Sequence, residues 1–381
     1  MEPKEWDFKS LDELALVERG KFSVRPRNDP RYFGGSIPFV QTGDISSAGT
    51  YLNQYTQTLN AEGVKVSKVF PKGTILITIA ANIGDTAITT FDVACPDSVV
   101  AIQPYKERVD VFWLKNVLDT KRDELDSQST QNAQKNINLQ VLKPLLIRTP
   151  PLLEQKMIAQ ILSTWDKAIA TTEQLLNNSQ KQKKALMQQL LTGKKRFSEF
   201  KEDWKHVELG SLLEYKQPTP YLVKSTDYND DYETPVLTAG KTFVLGYTNE
   251  SEGIYKDKLP VIIFDDFTTD SKFVDFPFKA KSSAMKILTA RDGVSIKYVF
   301  EAMQMLDFTI GGHQRHWISI FSNLVISIPE IAEQQKIASV LSTADSELET
   351  LKQQLNRLEQ EKKALMQQLL TGKRRVKMEV A

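Results

Sequence analysis

KKALMQQLLTGK, residues 183–194, recurs without a change at residues 362–373. At the same offset of 179 residues, EQKMIAQILSTWD (154–166) returns as EQQKIASVLSTAD (333–345), and aligning 154–196 with 333–375 without a gap gives 25 identities in 43 positions. Further upstream, Leu145, Ile147 and Pro150 fall on Leu324, Ile326 and Pro329. A repeat of this length fixes the organisation before any local signal does. The chain is two copies of one unit, each a domain followed by a long segment.

The long segments read as helices. Stepping four then three residues from Ile337 reaches Leu341, Ala344, Leu348, Leu351, Leu355, Leu358, Lys362, Leu365 and Leu369, the apolar seam of a coiled coil. The first copy gives Ile158, Leu162, Trp165, Ile169, Thr172, Leu176, Ser179, Lys183, Leu186 and Leu190, a seam with polar residues at its middle. Pro150, Pro151 and Pro329 precede the helices while Gly193 and Gly372 follow them, in keeping with how helices begin and end. The cations after each glycine suit the negative end of the helix dipole. A helix of about 39 residues is about 58 Å long, more than a small domain needs for its own packing, so each stripe must be buried on something long. An antiparallel pairing of the two helices, related by a local two-fold axis, is expected; the alternative is two helices that each pair with another chain.

Residues 1–150 and 197–329 are rich in aromatic and β-branched residues with turn signals between them. VFPKGTILITIA (69–80) and KLPVIIFDDF (258–267) predict a turn leading into a buried strand, and SVVAIQPY (98–105) and SAMKILTA (283–290) a further matching pair of strands. VDVFWLKNVLDTKRDEL (109–125) and SIKYVFEAMQML (295–306) predict matching short helices. Trp6 and Leu11 open the first domain as Trp204 and Leu209 open the second, with the tryptophans expected to pack where each domain meets the helices. IPFVQTGDI (37–45) recurs only loosely as TPVLTAGKT (234–242). One frame thus carries two different loop sets. The fold class is α+β: a mixed domain at 1–150, a helix at 151–196, a second mixed domain at 197–329 and a second helix at 330–375.

The 381 residues, 41% hydrophobic and 25% charged, describe a globular protein of two or three domains. No apolar run approaches the roughly 20 residues that span a bilayer, and MEPKEWDFKS lacks a secretory pattern, so a cytoplasmic location is expected. The lone Cys95 cannot form an internal disulfide and reads as a small residue beside a strand. A net charge of +1 is not that of a typical nucleic-acid binder. Total charge hides distribution, however: residues 181–196 hold six cations and no acid, while Asp227, Asp230, Asp231 and Glu233 cluster elsewhere.

The tryptophan near each domain start, the EQ-x-x-IA-x-x-LS-T-x-D helix opening and the L-L-T-G-K-(K/R)-R exit, all duplicated in order, resemble the specificity subunits of type I restriction-modification systems. The resemblance covers the whole chain. It implies two target-recognition domains, each contacting one half of a bipartite double-stranded DNA sequence. It also implies two antiparallel spacer helices that dock two methyltransferase subunits, with restriction subunits joining the larger complex. S-adenosylmethionine, ATP and magnesium would belong to those partners, leaving this chain without a cofactor or a catalytic role. From the residues themselves, one chain that docks two identical subunits must show the same surface twice, and the unchanged KKALMQQLLTGK is a candidate; recent duplication would also explain it. Reading heads on one side of B-DNA sit about 34 Å apart between centres, which a helix pair of this length can span.

Base reading uses Arg or Lys toward guanine and Asn or Gln toward adenine. In the first domain STQNAQKNIN (129–138) offers Gln131, Asn132, Gln134 and Asn136; the matching run IGGHQRHWI (310–318) offers His313, Gln314, Arg315 and His316. Gln41, Thr42, Asp44, Asn82, Lys241 and Lys272 are further candidates, with solvated polar loops as the plain alternative. Asp266 with Asp270 and Lys272 has the flavour of a metal-dependent nuclease, but the first domain lacks it. His313 and His316 lack the further ligands that zinc needs. No glycine-rich phosphate loop or methyltransferase fingerprint is present. A coiled-coil scaffold without a DNA role is the remaining alternative, and it leaves the divergence of the two domains unexplained.

Overall fold

The computed structural model describes residues 6–128, 136–238, 242–306, 317 and 320–376. The chain divides into two compact units, Met1–Glu173 with Gln354–Ala381, and Gln174–Gln353. Each long helix is shared: its first half belongs to one unit and its second half to the other.

The helices run Leu152–Leu190 and Ile331–Leu369, 39 residues each, as their seams predict. Every seam residue named above is buried or half-buried. Within the first unit Glu154 pairs with Arg375 and Asp166 with Lys362; within the second, Lys183 pairs with Asp345 and Arg196 with Glu333. Partner numbers fall as residue numbers rise, so the helical segments in each unit are antiparallel. Each helix ends at a glycine in the left-handed region, Gly193 at φ 68° and Gly372 at φ 72°. The amides two residues on, Lys195 N–H and Arg374 N–H, donate back to the Gln189 and Gln368 carbonyls at 3.0 and 3.1 Å. This closure absorbs carbonyls that the helix would otherwise leave open, and it needs a residue without a Cβ penalty.

In the first unit the strand Asp7–Ser10 pairs antiparallel with Leu146–Thr149, the strand leading into the first long helix. The domain is thereby closed at its stem. Between these strands lies a five-stranded sheet in the order Ala15–Arg19, Val99–Pro104, Ile75–Thr78, Thr86–Thr89, Tyr51–Leu52, with a smaller four-stranded sheet beside it. The central strands Val99–Pro104 and Ile75–Thr78 are the buried apolar runs read from the sequence. The second unit repeats the plan: Lys205–Glu208 pairs with Val325–Ile328, and Leu213–Lys216, Met285–Ala290, Val261–Asp265 and Ser271–Val274 form its main sheet. The helices Val111–Thr120 and Ile296–Met303 close the cores against the long helices. Leu369 and Leu370 join Ile158, Leu162 and Trp113 in one core; Leu190 and Leu191 join Ile337, Leu341 and Tyr298 in the other.

The Glu-Gln pair that opens each helix fastens the domain to it. Glu154 is fully buried and accepts hydrogen bonds from Trp6 Nε1 (3.1 Å) and from Arg375 Nε (2.7 Å) and Nη2 (2.9 Å). Glu333 repeats this with Trp204 Nε1 (3.1 Å) and with Arg196 Nε (3.0 Å) and Nη2 (2.8 Å). Gln155 accepts the Asp110 N–H and donates to the Pro150 carbonyl, while Gln334 accepts the Ser295 N–H and donates to the Pro329 carbonyl. Asp110 and Ser295 are themselves the N-caps of the two short helices.

A second junction differs between the units. In the second, Lys183, Lys297, Glu301 and Asp345 form a closed ring of four ion pairs between 2.5 and 3.1 Å. In the first, Phe112 and Asn116 stand where Lys297 and Glu301 do, counted from the N-caps, so no ring closes: Asp166 pairs with Lys362 and Lys115 with Asp119, flanking a groove of about 970 Å³. Burial pushes the Asp345 carboxyl up, but hydrogen bonds from Lys183 and Lys297 outweigh it and hold the group below the usual carboxylate range. Burial likewise pulls Lys297 down, and its bonds to Asp345 and Glu301 more than compensate. A carboxylate with a depressed folded pKa stabilises above its unfolded value, about 3.9, and that stability is lost as pH falls; the raised lysine stabilises below about 10.4 and loses it as pH rises. Asp345→Asn should therefore lower Tm at pH 7, and the gap to the parent should shrink as thermal scans move below about pH 4. A gap independent of pH would mean that the charge of Asp345 contributes nothing.

Candidate nucleic-acid interface

In both units the chain at the end of the polar run singled out above is tied to the end of one central strand. In the first, Ile75–Thr78 runs on to Ile79 and Ala80, where the chain turns through Ala81 (φ 64°) and Gly84 (φ 87°). The Thr78 hydroxyl holds this turn through the Asn82 and Asp85 carbonyls. The polar run re-enters at Asn136, which bridges Ala80, and the Ile137 N–H donates to the Ile79 carbonyl at 3.0 Å. Buried Ile137 anchors the return, and Asn138 caps the helix Leu139–Leu142. Gln131, Asn132 and Gln134 lie outside the described residues, but the point where their segment rejoins the domain is fixed.

The other first-domain candidates gather along the same rim. Exposed Asn82 donates to Ser46 Oγ at 3.1 Å, on the short helix Thr42–Ser47 whose N-cap is Gln41. Gln41 is exposed and donates through Nε2 to Gln57 Oε1 at 2.6 Å; Thr42 is half-buried. Asp44 departs from expectation. It is 9% exposed, and its carboxylate accepts the Gln41 N–H and the Thr56 hydroxyl, so it shapes the loop rather than facing a ligand. One cation escaped the sequence reading: Arg122, half exposed, lies against Gly84 and pairs with Asp85 at 2.9 Å. Nothing in the run TKRDEL marks it out from its neighbours; only the close approach of the glycine does.

In the second unit Val261–Asp265 leads to a turn in which the Asp265 carboxylate accepts the Phe267 N–H at 2.8 Å, and Thr269 sits at φ 63°. The Trp317 N–H donates to Asp266 Oδ1 at 2.9 Å, the counterpart of Ile137 on Ile79. Trp317 is buried edge-on against Phe264. Lys241, His313, Gln314, Arg315 and His316 lie outside the described residues. Lys272 is exposed on the hairpin strand Ser271–Val274. Phe267, 52% exposed at the tip of this turn, was not singled out from the sequence, where an aromatic after two aspartates reads as core.

One member of the enzyme-like pattern, Asp266, is taken up by packing. Asp266 is 1% exposed, is bonded by the Trp317 amide and lies 3.4 Å from Lys286, while Lys272 points outward on a strand. Among the described residues no group of three His, Cys, Asp or Glu is placed to hold a metal ion. Burial pushes the Cys95 thiol up to about 12, so it stays protonated and unreactive. None of the described helices is long and apolar enough to cross a membrane.

Residues 3–179 and 201–360 match the family model of the type I restriction modification DNA specificity domain, once per repeat. The chain is 48% identical over 177 residues to the specificity subunit of the Escherichia coli type I restriction enzymes EcoR124I and EcoR124II, a match covering 43% of this chain and 44% of that subunit. It thus aligns with less than half the length of that relative. It aligns with 95% of a putative type I restriction enzyme MjaX specificity subunit from Methanocaldococcus jannaschii, at 25% identity over 98% of this chain. Among solved structures, the S subunit of a type I restriction-modification system from M. genitalium superposes with a TM-score of 0.68 over 99% of this chain and 100% of that one. At 15% identity this similarity is one of fold.

Proposed function

The chain belongs to the type I restriction-modification DNA specificity family, and from that premise we propose that it reads a bipartite, asymmetric DNA sequence, one half-site per domain, within a modification and restriction complex. One observation carries this reading: two stems built from the same contacts hold two different edges. Gln41, Asn82 and Asn136 on the first domain's rim, and the exposed cation Lys272 on the second domain's hairpin, are different donor and acceptor sets, as two unlike half-sites require. Gln131, Asn132 and Gln134 in the first domain, and Lys241, His313, Gln314, Arg315 and His316 in the second, remain further candidates by sequence. Phosphate contacts from cations such as Arg122 would set the register without specifying bases.

The partners follow from the exposed faces of the helices. Lys184, Ala185, Gln188, Gln189, Thr192 and Lys194 are exposed, as are their identical counterparts within 363–373. Packing does not require exposed positions to agree, and the intervening stretches 167–182 and 346–361 share only four of sixteen residues. A face repeated where the rest has diverged suits two copies of one partner, the methyltransferase subunit, with restriction subunits joining them. S-adenosylmethionine, ATP and magnesium would be held by those subunits, in the cytoplasm where the DNA is. With the methyltransferase subunit present, binding to duplex fragments should be saturable and specific by at least about a thousandfold. It should also fall with salt at a slope of about −0.9 per phosphate contact. Partner binding without sequence preference would point to a scaffold, and magnesium-dependent cleavage by the chain alone to a nuclease.

A further inference from the structure

We infer that the Glu-Trp-Arg clasp at the base of each domain, Glu154 with Trp6 and Arg375 and Glu333 with Trp204 and Arg196, holds the protein to a single accepted spacer length. The inference rests on the bipartite reading just proposed. Each clasp joins three elements: the first residues of a domain through the indole N–H, the first turn of one long helix through the carboxylate, and the exit of the other through the guanidinium.

The chemistry suits an angular lock better than a source of stability. A buried ion pair costs nearly as much in desolvation as its attraction returns, so apolar side chains would hold the stem together as well. An Arg-carboxylate fork, by contrast, is planar and two-pronged, and it fixes direction as well as distance. The indole lies over the guanidinium, Arg375 at 5.9 Å from the Trp6 ring centre and Arg196 at 5.8 Å from that of Trp204, which leaves the fork one orientation. The two clasps agree within 0.3 Å in every hydrogen bond, although the junctions beside them differ: one is a closed ion ring and the other an open groove. The geometry that has been kept in both units is the one at the pivot.

A domain of roughly 130 residues has a radius of gyration of about 14 Å, so its reading edge lies roughly 30 Å from its stem. At about 3.4 Å per base pair, a tilt of about 6° at the clasp moves that edge by one base pair. Loss of one prong is enough to permit a tilt of that size without unfolding the domain.

The test is the methylation pattern of the assembled complex, with its partner subunit and S-adenosylmethionine, read across whole-genome DNA. Glu333→Gln keeps the shape and two acceptor contacts but removes the charge; Trp204→Phe removes the indole N–H together with part of the ring that stacks on Arg196, and serves if the first variant fails to assemble. Both should methylate the parent's half-site bases at spacers one base pair longer or shorter, at least tenfold above the parent's level there. Glu154→Gln should do the same through the other domain. A variant that assembles and methylates only the parent's spacer, whether at full or uniformly reduced level, would show that the clasp merely holds the fold and would overturn the inference. Absence of any bipartite motif in the parent complex would instead remove the reading on which the inference rests.

Discussion

Replacing residues 1–150 with the first domain of another family member should change one half of the methylated sequence and leave the other half and the spacer as they were. The domain is closed on itself by the pairing of Asp7–Ser10 with Leu146–Thr149, and its candidate readers lie on a rim reached from the strand Ile75–Thr78. Its bonds to the rest of its unit run through Trp6, Arg108 and Asp110 to Glu154 and Gln155, with one more from the Thr50 hydroxyl to Asp166. A donor domain carrying the same tryptophan therefore meets an unchanged partner. The expected effect is large: a half-site of several bases, each worth about 1–3 kcal/mol of discrimination, is replaced outright, so the parent sequence should lose methylation by several orders of magnitude. Sequencing the DNA of cells that carry the chimaera with its methyltransferase subunit reads this directly. A change in both halves would mean that the domains do not read independently.

Inserting one helical turn at matched places in both long helices, between residues 166 and 182 and between 345 and 361, should lengthen the spacer. Four residues add about 6 Å, the rise of roughly two base pairs. The stretches chosen are where the two copies differ most, and they lie between the two junctions, so the clasps and their domains keep their local contacts. The parent spacer should then lose methylation by about a hundredfold or more, since one half-site falls out of register, while a spacer one or two base pairs longer should gain it. An unchanged spacer would refute the helix pair as a ruler. The insertion and the clasp variants act differently. The first shifts the accepted spacer and keeps it narrow, whereas the second broadens it around the parent value.

The long helices were legible because a seam of apolar residues needs no knowledge of what covers it: Ile337 to Leu369 reads as buried whatever the partner. The central strands were legible for the same reason, and so was the packing of Trp6 and Trp204 at the stems. What the sequence concealed is convergence. Glu154, Trp6 and Arg375 each stood in a recognised motif, but 221 residues separate the carboxylate from its guanidinium, and only the antiparallel return brings them together. Lys183 and Lys362 looked like polar faults in the seams, yet each pairs with an aspartate of the opposite helix. The rim was harder still. Asp44 and Gln41 are both polar loop residues three positions apart, and it is the capping geometry that turns one inward and leaves the other exposed. Loops chosen for a ligand carry no periodicity, so their side chains can be sorted only by where the fold places them.

The most direct test of the central claim is to co-express the chain with its methyltransferase subunit and map adenine methylation across the host DNA by long-read sequencing. The account predicts a single new motif in two unlike halves, separated by a fixed gap of unread bases. A complex shown to be assembled and active that adds no new motif, or one continuous motif, would contradict it.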